Sequence, residues 1–278
     1  MERRIWFITG CATGFGRALA ETALGAGDGV AVTDRDVASV KSLSARYPDN
    51  ALPLQLDVTR PDEVRRAIGA AFVRFGRIDV LVNNAGYGMQ AAVEEADEAQ
   101  VRRMFDVNFF GLVDVIRTAV PRLRQQGSGH IINFASVGGR VSAPLLALYS
   151  ASKFAVEGLS EGLAQELAHL GIKVTAVEPG AFATRFSASA VTAEGTLDAY
   201  RPIRDRMEAL IGDLPLGDPQ DLADAIVELV RQPDPPLRFI AGADAYAMIE
   251  GNLQAQREEM AAWRDLGRKA NRAASHAG

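Results

Sequence analysis

The fold is decided near the start of the chain, where residues 5–16 read Ile5-Trp6-Phe7-Ile8-Thr9-Gly10-Cys11-Ala12-Thr13-Gly14-Phe15-Gly16. The apolar run predicts a short buried strand over residues 5–9, and the residues after Gly16 take a helical period. Glycines at such a turn let the backbone approach a phosphate, and the N–H groups and dipole of the helix N-terminus then hold the anion. The spacing is looser than G-x-G-x-x-G, so a plain turn is the competing interpretation until the context is added.

A carboxylate follows the next predicted strand. Residues 29–33 predict that strand, and Asp34 closes it 18 positions after Gly16. In dinucleotide-binding folds, an acid about 20 residues past the turn accepts the adenosine ribose hydroxyls. Its charge repels a 2′-phosphate by up to about 4 kcal/mol at close range. Arg35 argues the other way, because a guanidinium binds such a phosphate in bidentate fashion. We give Asp34 more weight, which predicts NAD as the cofactor and leaves NADP possible.

Strands and helices alternate along the rest of the chain. Further strands are predicted over 51–56, 80–82, 130–134, 173–178 and 237–241, and helices over 37–46, 59–75, 97–124, 148–170, 219–232 and 243–272. This alternation predicts right-handed crossovers and a parallel sheet that is covered on both faces. The predicted fold class is α/β: one doubly wound, Rossmann-type domain over residues 1–278, with a seven-stranded parallel sheet and a C-terminal helical tail over 243–278.

Small and polar residues gather where these strands end. Besides the glycine turn and Asp34, they are Asp57, Asn83–Gly86, Ser136 and Pro179-Gly180. Ligands of such sheets bind beyond the carboxyl ends of the strands. The sequence therefore predicts one site that all of these residues share.

A phenol and an amine stand four residues apart, at Tyr149 and Lys153, near the start of a predicted helix. Positions i and i+4 lie on one helix face. Because a fixed positive charge nearby favours the phenolate, we expect Lys153 to lower the pKa of Tyr149 towards the range useful for proton transfer. Asn108 lies among apolar neighbours in another predicted helix, and we expect it to be a buried polar group with hydrogen-bond partners.

Composition argues against several classes of protein. The net charge is −5 and the basic residues are scattered, which predicts no nucleic-acid partner. No apolar run approaches the ~20 residues of a membrane helix, and no signal peptide precedes the first strand, so we expect a cytoplasmic protein without a membrane partner. The single cysteine, Cys11, and three isolated histidines predict neither a disulfide nor a metal site.

In order and spacing, these motifs resemble those of the short-chain dehydrogenase/reductase family. The resemblance covers about residues 4–185 and rests on Thr9-Gly10-x-x-x-Gly14-x-Gly16, Asp57, Asn83-Asn84-Ala85-Gly86, Asn108, Ser136, Tyr149-x-x-x-Lys153 and Pro179-Gly180. It implies an oxidoreductase that transfers a hydride between nicotinamide and a carbonyl or secondary alcohol. With Asp34 at its position, we expect NAD(H) to be preferred over NADP(H).

The resemblance also implies a role for each residue. Tyr149 would be the general acid/base, Lys153 would lower its pKa and bind the nicotinamide ribose, and Ser136 would hold the substrate oxygen. Asn108 would support a water of the proton relay. The residues expected at the cofactor are Gly10, Thr13, Gly14, Phe15, Gly16, Asp34, Arg35, Asp57, Val58, Asn84, Ala85, Gly86, Tyr149, Lys153, Pro179, Gly180, Phe182 and Thr184. Those expected at the substrate are Ser136, Val141, Leu145, Tyr149 and Phe186.

The segment 186–217 has no strong period, and we expect it to form a mobile lid over the substrate. Its apolar residues, together with Val141 and Leu145, predict an apolar ketone or alcohol. Arg140 and Arg185 flank the region, so a substrate with an anionic group is an alternative. We favour the interpretation that both arginine side chains are solvated.

Two other classes remain as alternatives. A non-catalytic dinucleotide-sensing protein could use the same fold, but it has no need of Ser136, Tyr149 and Lys153 together. A sugar-nucleotide epimerase or dehydratase is usually longer and has a different glycine spacing. The chain lacks the Asp-Gly-Gly ending common in the family, so we expect a homodimer or homotetramer to form through the long central helices.

Overall fold

A computed structural model describes residues 3–184, 190–193, 195–212 and 214–270, apart from the side chains of 210–212. The predicted substrate residue Phe186 and the flanking Arg185 lie outside the described residues, as do parts of the predicted lid and the end of the predicted tail.

Seven parallel strands form the central sheet, in the order β3-β2-β1-β4-β6-β7-β9, and two short strands, β5 and β8, pair separately. The strands are β1 (Ile5–Ile8), β2 (Gly29–Asp34), β3 (Ala51–Gln55), β4 (Val80–Asn83), β5 (Met89–Gln90), β6 (Gly129–Phe134), β7 (Ile172–Pro179), β8 (Val191–Thr192) and β9 (Arg238–Ala241). The chain winds outward from β1 in both directions, which confirms the predicted doubly wound sheet.

Helices connect the strands. They are α1 (Gly14–Gly25), α2 (Val37–Arg46), α3 (Pro61–Phe75), α4 (Glu98–Phe105), α5 (Leu112–Gln126), α6 (Ala147–Leu167), α7 (Arg201–Gly212), α8 (Pro219–Leu229) and α9 (Ala243–Lys269). The long C-terminal helix that the sequence predicts is α9. Within the described ranges, no helix is both long enough and apolar enough to cross a membrane.

The core has two layers, one on each face of the sheet. In β1, Trp6 and Ile8 pack into the layer that α1, α2 and α8 cover, whereas Phe7 packs into the layer that α3, α5 and α6 cover. All three side chains are fully buried. Because successive side chains of a strand point to opposite faces, a sheet buried on both faces needs an unbroken apolar run. This is why residues 5–8 carry no polar residue.

The helix predicted over 97–124 is not continuous. A π-helical turn, Asp106–Gly111, separates α4 from α5, and Asn108 lies inside it. At Gly111 the turn packs tightly on Val58, since a Cβ there would lie 2.7 Å from Val58 Cγ2. Such wide turns occur mostly as local insertions, often at functional sites. Here the insertion follows from tertiary contacts that a periodic pattern does not reveal.

The segment after β7 is more regular than the sequence predicts. β8 pairs in parallel with β5, and α7 follows over Arg201–Gly212. Neither element is predicted, because β8 has only two residues and the α7 pattern is mostly polar. Their position depends on contacts with residues about 100 positions earlier, such as the pairing of Met89 with Val191.

Candidate active site

The turn between β1 and α1 is shaped for close approach of a ligand. Gly10 and Gly14 have φ angles of 73° and 59°, which glycine adopts without strain. A Cβ on Gly16 would lie 2.5 Å from Nδ2 of Asn84 and closer still to the Gly10 carbonyl oxygen. The exposed Thr13 makes no side-chain cap to α1. The turn therefore fits a pyrophosphate at the helix N-terminus.

Thr9 and Asn84 fasten this turn to the end of β4. Thr9 Oγ1 accepts hydrogen bonds from the backbone N–H groups of Asn84 and Ala85, both at 3.0 Å. Asn84 Nδ2 donates to the carbonyl oxygens of Thr9 and Gly10, at 2.9 and 3.0 Å. The Asn84 side chain thus holds the shape of the turn. Thr9 is missing from the predicted site residues. Its position at the end of a strand, directly before the first glycine of the turn, could have indicated that it belongs to the site.

The carboxylate of Asp34 lies beside the glycine turn. Its Oδ2 accepts a hydrogen bond from the N–H of Ala12 at 3.1 Å, and its Oδ1 accepts one from the N–H of Asp36 at 3.3 Å. Asp34 is half-buried, whereas Arg35 is exposed. Each carboxylate oxygen can accept a second hydrogen bond, so Asp34 fits the ribose hydroxyls of a dinucleotide.

Asp57 and Val58 follow β3 on the same side of the sheet. Asp57 Oδ1 accepts hydrogen bonds from the N–H and the hydroxyl of Thr59, at 3.0 and 2.7 Å. Thr59 therefore fixes the Asp57 carboxylate, and α3 begins at Pro61 rather than at residue 59 because Arg60 is the cap residue of that helix. Val58 is buried under the π-helical turn at Gly111.

The end of β7 forms the facing wall of the site. Gly180 follows Pro179 and leaves no room for a side chain, because the carboxylate of Asp244 occupies that space. Asp244 Oδ2, at the start of α9, accepts a hydrogen bond from the N–H of Ala181 at 2.7 Å. Asp244 is thus an anchor of this wall that the sequence analysis missed, because the contact spans 63 positions.

Two predicted cofactor residues are aromatic and pack on each other. The Phe15 and Phe182 rings meet edge to face at 5.2 Å, and Phe15 also stacks on Phe134 at 5.6 Å. Thr184 lies opposite the glycine turn, since a Cβ on Gly14 would lie 3.6 Å from Thr184 Cβ. The glycine turn therefore lies next to the segment that follows β7.

Asn108 is buried in the π-helical turn, at 1% exposure. Its Oδ1 accepts from the N–H of Tyr87 at 3.0 Å, and its Nδ2 donates to the Tyr87 carbonyl oxygen at 2.9 Å and to Ser152 Oγ at 3.2 Å. The prediction of a buried polar group with partners is confirmed. A Cβ on Gly86 would lie 3.1 Å from Asn108 Oδ1 and 3.6 Å from Lys153 Nζ, so Asn108 and Lys153 both lie beside the same face of Gly86.

Ser136 and Tyr149 are hydrogen-bonded to each other through their side chains. Ser136 Oγ also accepts from the N–H of Gly138 at 3.0 Å, which fixes its position. Burial raises the pKa of Tyr149 to about 12, although the hydrogen bond with Ser136 acts in the opposite direction. The expected net fall in the pKa of Tyr149 is therefore not seen, because the cost of burying the phenolate outweighs the favourable hydrogen bond.

Lys153 lies one helical turn after Tyr149 on α6 and is also buried. Its Nζ donates to the carbonyl oxygen of Phe134 at 2.8 Å. Burial lowers the pKa of Lys153 to about 8, and the charge of Glu157 partly opposes that change. The ammonium is thus present at neutral pH and is held at a fixed distance from the end of β6.

The predicted substrate residues lie in the loop between Ser136 and α6. Val141 is half-buried, whereas Leu145 is buried and clusters with Met207 of α7. Leu145 has a φ of 65°, and no other non-glycine residue among those described has a positive φ. Arg140 pairs with the fully buried Glu178 at 2.9 Å. The expectation that Arg140 recruits an anionic substrate or is solvated is therefore wrong.

The arrangement combines a cradle for a dinucleotide with two linked hydroxyls and a buried ammonium. No cluster of three or more potential metal ligands occurs in the described part of the chain. A doubly wound sheet with such a site defines a dinucleotide-dependent oxidoreductase of the Rossmann type.

More narrowly, the chain belongs to the short chain dehydrogenase family, whose profile matches residues 4–195. The oxidoreductase BOA17 of Botryotinia fuckeliana is 37% identical over 270 residues, which is 95% of this chain and 97% of the relative. A 3-ketodihydrosphingosine reductase of Bacteroides thetaiotaomicron is 35% identical over 250 residues, 87% of this chain and 89% of the relative.

Solved structures agree with this membership. A short-chain dehydrogenase from Streptomyces avermitilis superposes with a TM-score of 0.91 at 39% identity, covering 98% of this chain and all of the other. A 3-ketoacyl-(acyl-carrier-protein) reductase from Brucella melitensis, complexed with NADH, has a TM-score of 0.75 at 29% identity and covers 86% and 96% of the two chains. ElxO with NADP bound has a TM-score of 0.73 at 28% identity, with 86% and 97% covered.

Proposed function

We propose that this chain transfers a hydride between a nicotinamide dinucleotide and the carbonyl or secondary alcohol of a small apolar substrate, with Tyr149 as the general acid/base. The observation that carries the proposal is the hydrogen-bonded pair of Ser136 and Tyr149 beside the buried Lys153. Two fixed hydroxyls suit an oxygen that gains negative charge in the transition state. The nicotinamide, when bound, supplies or accepts the hydride.

In the direction of reduction, Tyr149 gives its proton to the substrate oxygen while Ser136 donates a hydrogen bond to it. The raised pKa of Tyr149 keeps it protonated at neutral pH, which is the form that a proton donor needs. The Lys153 ammonium then stabilises the phenolate that remains. Asn108 lies beside the same face of Gly86 as Lys153, where it would hold a water that returns the proton.

We infer that NAD(H) is the preferred cofactor and that NADP(H) binds more weakly. Asp34 supports this preference because its carboxylate lies beside the glycine turn, at 3.1 Å from the N–H of Ala12, whereas Arg35 is exposed. Similar structures hold either cofactor, NADH in the Brucella reductase and NADP in ElxO, so the choice rests on this chain's own residues.

Fluorescence titration of the purified protein with NADH and NADPH tests the preference without any substrate. We expect NADH to bind at least about tenfold more tightly, or 1.4 kcal/mol. Asp34→Asn should narrow that difference, whereas Asp36→Asn, two residues away and exposed, should keep it. Equal affinity of the parent for both dinucleotides would contradict the role of Asp34.

The substrate we infer is an apolar ketone or the corresponding alcohol, and residues 186–217 form its lid within a single domain. Leu145, Met207 and Ala92 form an apolar cluster between the loop before α6 and α7. Arg204 of α7 pairs at 2.8 Å with Glu95, which fastens α7 to the turn after β5. One relative is a 3-ketodihydrosphingosine reductase, and a keto substrate in a relative supports the ketone part of this proposal.

The decisive experiment is turnover of a panel of aliphatic, aryl and steroid-like ketones by the parent and by Tyr149→Phe. Loss of the phenol should lower kcat by about 10²–10⁴-fold, the usual contribution of a positioned acid, while NADH binding is retained. Tyr47→Phe, remote from the site at the end of α2, is the matched control and should keep full activity.

Unchanged turnover in Tyr149→Phe would overturn the mechanism. A parent that binds NADH but reduces no ketone and oxidises no alcohol would favour the non-catalytic dinucleotide sensor instead. Turnover of carboxylated or phosphorylated ketones alone would overturn the apolar substrate class.

We also infer a homodimer or homotetramer that pairs through the central helices. Phe110 of the π-helical turn is 54% exposed and Phe154 of α6 is 46% exposed. Exposed aromatic side chains on long helices are typical of interfaces. Light scattering should give a mass at least twice that of the chain, and Phe154→Ser should lower it; a monomeric parent would contradict the inference.

A further inference from the structure

A partly buried cluster of charges lies next to the active site. Arg140 pairs with Glu178 at 2.9 Å, and Arg238 pairs with Glu157 at 3.2 Å. Arg238 Nε is also 3.7 Å from Glu178 Oε1, so the two pairs form one cluster. The Glu178 side chain is fully buried and that of Glu157 is 6% exposed, while Glu161 contacts Arg238 from the exposed rim. Removing these charges from water costs desolvation free energy, which other interactions must compensate.

Three members of the cluster lie close in sequence to residues of the proposed active site. Arg140 ends the short 3-10 turn that begins after Ser136. Glu157 lies one helical turn after Lys153 on α6, and Glu178 directly precedes Pro179 in β7. The cluster therefore joins three separate elements of the site, which are the 3-10 turn, α6 and β7.

The contact between two of these elements is close. A Cβ on Gly139 would lie 3.0 Å from the Lys153 carbonyl oxygen and 3.1 Å from Glu157 Cγ. The 3-10 turn that positions Ser136 thus sits directly on α6 between Lys153 and Glu157. A shift of the Glu157 side chain would be transmitted to this turn, because packed atoms leave no free space between them.

The two carboxyl groups are not fully satisfied. Glu157 Oε1 and Glu178 Oε2 are buried and have no hydrogen-bond partner among the described residues. Burial, and next the charge of Glu178, raise the pKa of Glu157 to about 7, against the opposing effect of Arg238.

We propose that Glu157 is a positioning residue of the active site, which holds the 3-10 turn after Ser136 against α6 and, through its own charge, keeps Lys153 in the ammonium form. This inference rests on the proposed function, because Glu157 would act on the Lys153 of the same site.

The sign of the effect follows from the groups that face Glu157. They are Lys153 and Glu161 on its own helix, Arg140 from the 3-10 turn, Glu178 from β7 and Arg238 from β9. An ionised Glu157 raises the pKa of Lys153. Removing its charge leaves only the effect of burial, so Lys153 then loses its proton at a lower pH.

The test compares Glu157→Gln with the matched control Glu161→Gln, since both glutamates contact Arg238 but only Glu157 is buried. Ketone reduction is measured as kcat/KM against pH in the parent and both variants. In Glu157→Gln we expect the alkaline fall of kcat/KM to move to lower pH by roughly half a unit or more, the effect of losing one nearby charge. Glu161→Gln should keep the parent profile. An unchanged profile in Glu157→Gln overturns the proposal.

A second readout does not depend on activity. Infrared difference titration of the parent should show a protonated carboxyl band that disappears as the pH rises through about 7. The band should be absent in Glu157→Gln and present in Glu161→Gln. Absence of the band from the parent, or its persistence in Glu157→Gln, overturns the protonation of Glu157. A parent without turnover would instead refute the proposed function, and the infrared result would still decide whether Glu157 holds a proton.

Discussion

Replacing Gly16 by alanine tests whether the glycine turn holds the dinucleotide. The new Cβ would lie 2.5 Å from Asn84 Nδ2 and nearer still to the Gly10 carbonyl oxygen. Non-bonded carbons normally keep about 3.5–4.0 Å from their neighbours, so the turn must open by roughly 1 Å. Overpacking of this kind costs about 1–3 kcal/mol. The atoms that must move are those that fasten the turn to β4, so the loss should fall on cofactor binding.

We expect Gly16→Ala to weaken NADH binding at least about tenfold, or 1.4 kcal/mol, measured by fluorescence titration. Gly25→Ala is the matched control, because it lies in the same helix and its Cβ would meet only Tyr47 Oη, at 3.9 Å. That variant should bind NADH as the parent does and unfold at slightly higher denaturant, since alanine is favoured over glycine in helices by about 0.5–1 kcal/mol. Parent-like NADH affinity in Gly16→Ala would refute the role of the turn.

Three further predictions concern charge. Burial lowers the pKa of Lys153 to about 8, so kcat/KM for ketone reduction should fall above that pH as the ammonium is lost. In Lys153→Arg this fall should move to higher pH. A parent whose kcat/KM does not change with pH would contradict the role of the ammonium. Glu95→Gln removes the charge that pairs with Arg204, so limited proteolysis should cut near α7 faster than in the parent. The control Glu98→Gln removes an exposed ion pair and should leave the rate of cutting unchanged. Equal rates of cutting in both variants would contradict the role of the Glu95–Arg204 pair in holding α7. The pKa of Glu157 is raised from 4.5 to about 7, so the folded state binds this proton more tightly than the unfolded state does. The free energy of unfolding should therefore fall as the pH rises from 4.5 to about 7. Urea unfolding of Glu157→Gln should show no such fall, and a fall that persists in this variant would mean that other groups cause it.

Much of the fold follows from local patterns. The apolar strands, the glycines of the turn and the Tyr149–Lys153 spacing are each set within a few residues, because hydrophobic period and backbone freedom are properties of short stretches. The seven-stranded parallel sheet then follows from the alternation of strands with helices. The family of the protein was accordingly predictable from the order of its motifs.

Features that depend on distant residues were not predictable in this way. The π-helical turn around Asn108 exists because the turn packs on Val58 and bonds to Tyr87. The prediction for Arg140 failed because its partner, Glu178, lies 38 positions away. Neither hydrophobic periodicity nor turn-forming residues reveal contacts between residues that are far apart in the chain.

The sequence by itself determined which groups this protein carries and on which elements they lie: a glycine turn before α1, an acid at the end of β2, and a phenol and an amine on one face of α6. Tertiary structure alone decided their chemical state. Burial raises the pKa of Tyr149 to about 12 and lowers that of Lys153 to about 8, which reverses the direction expected for the tyrosine. The physical reason is that the cost of removing a charge from water depends on all the elements packed around it, whereas spacing along the chain records only its nearest neighbours.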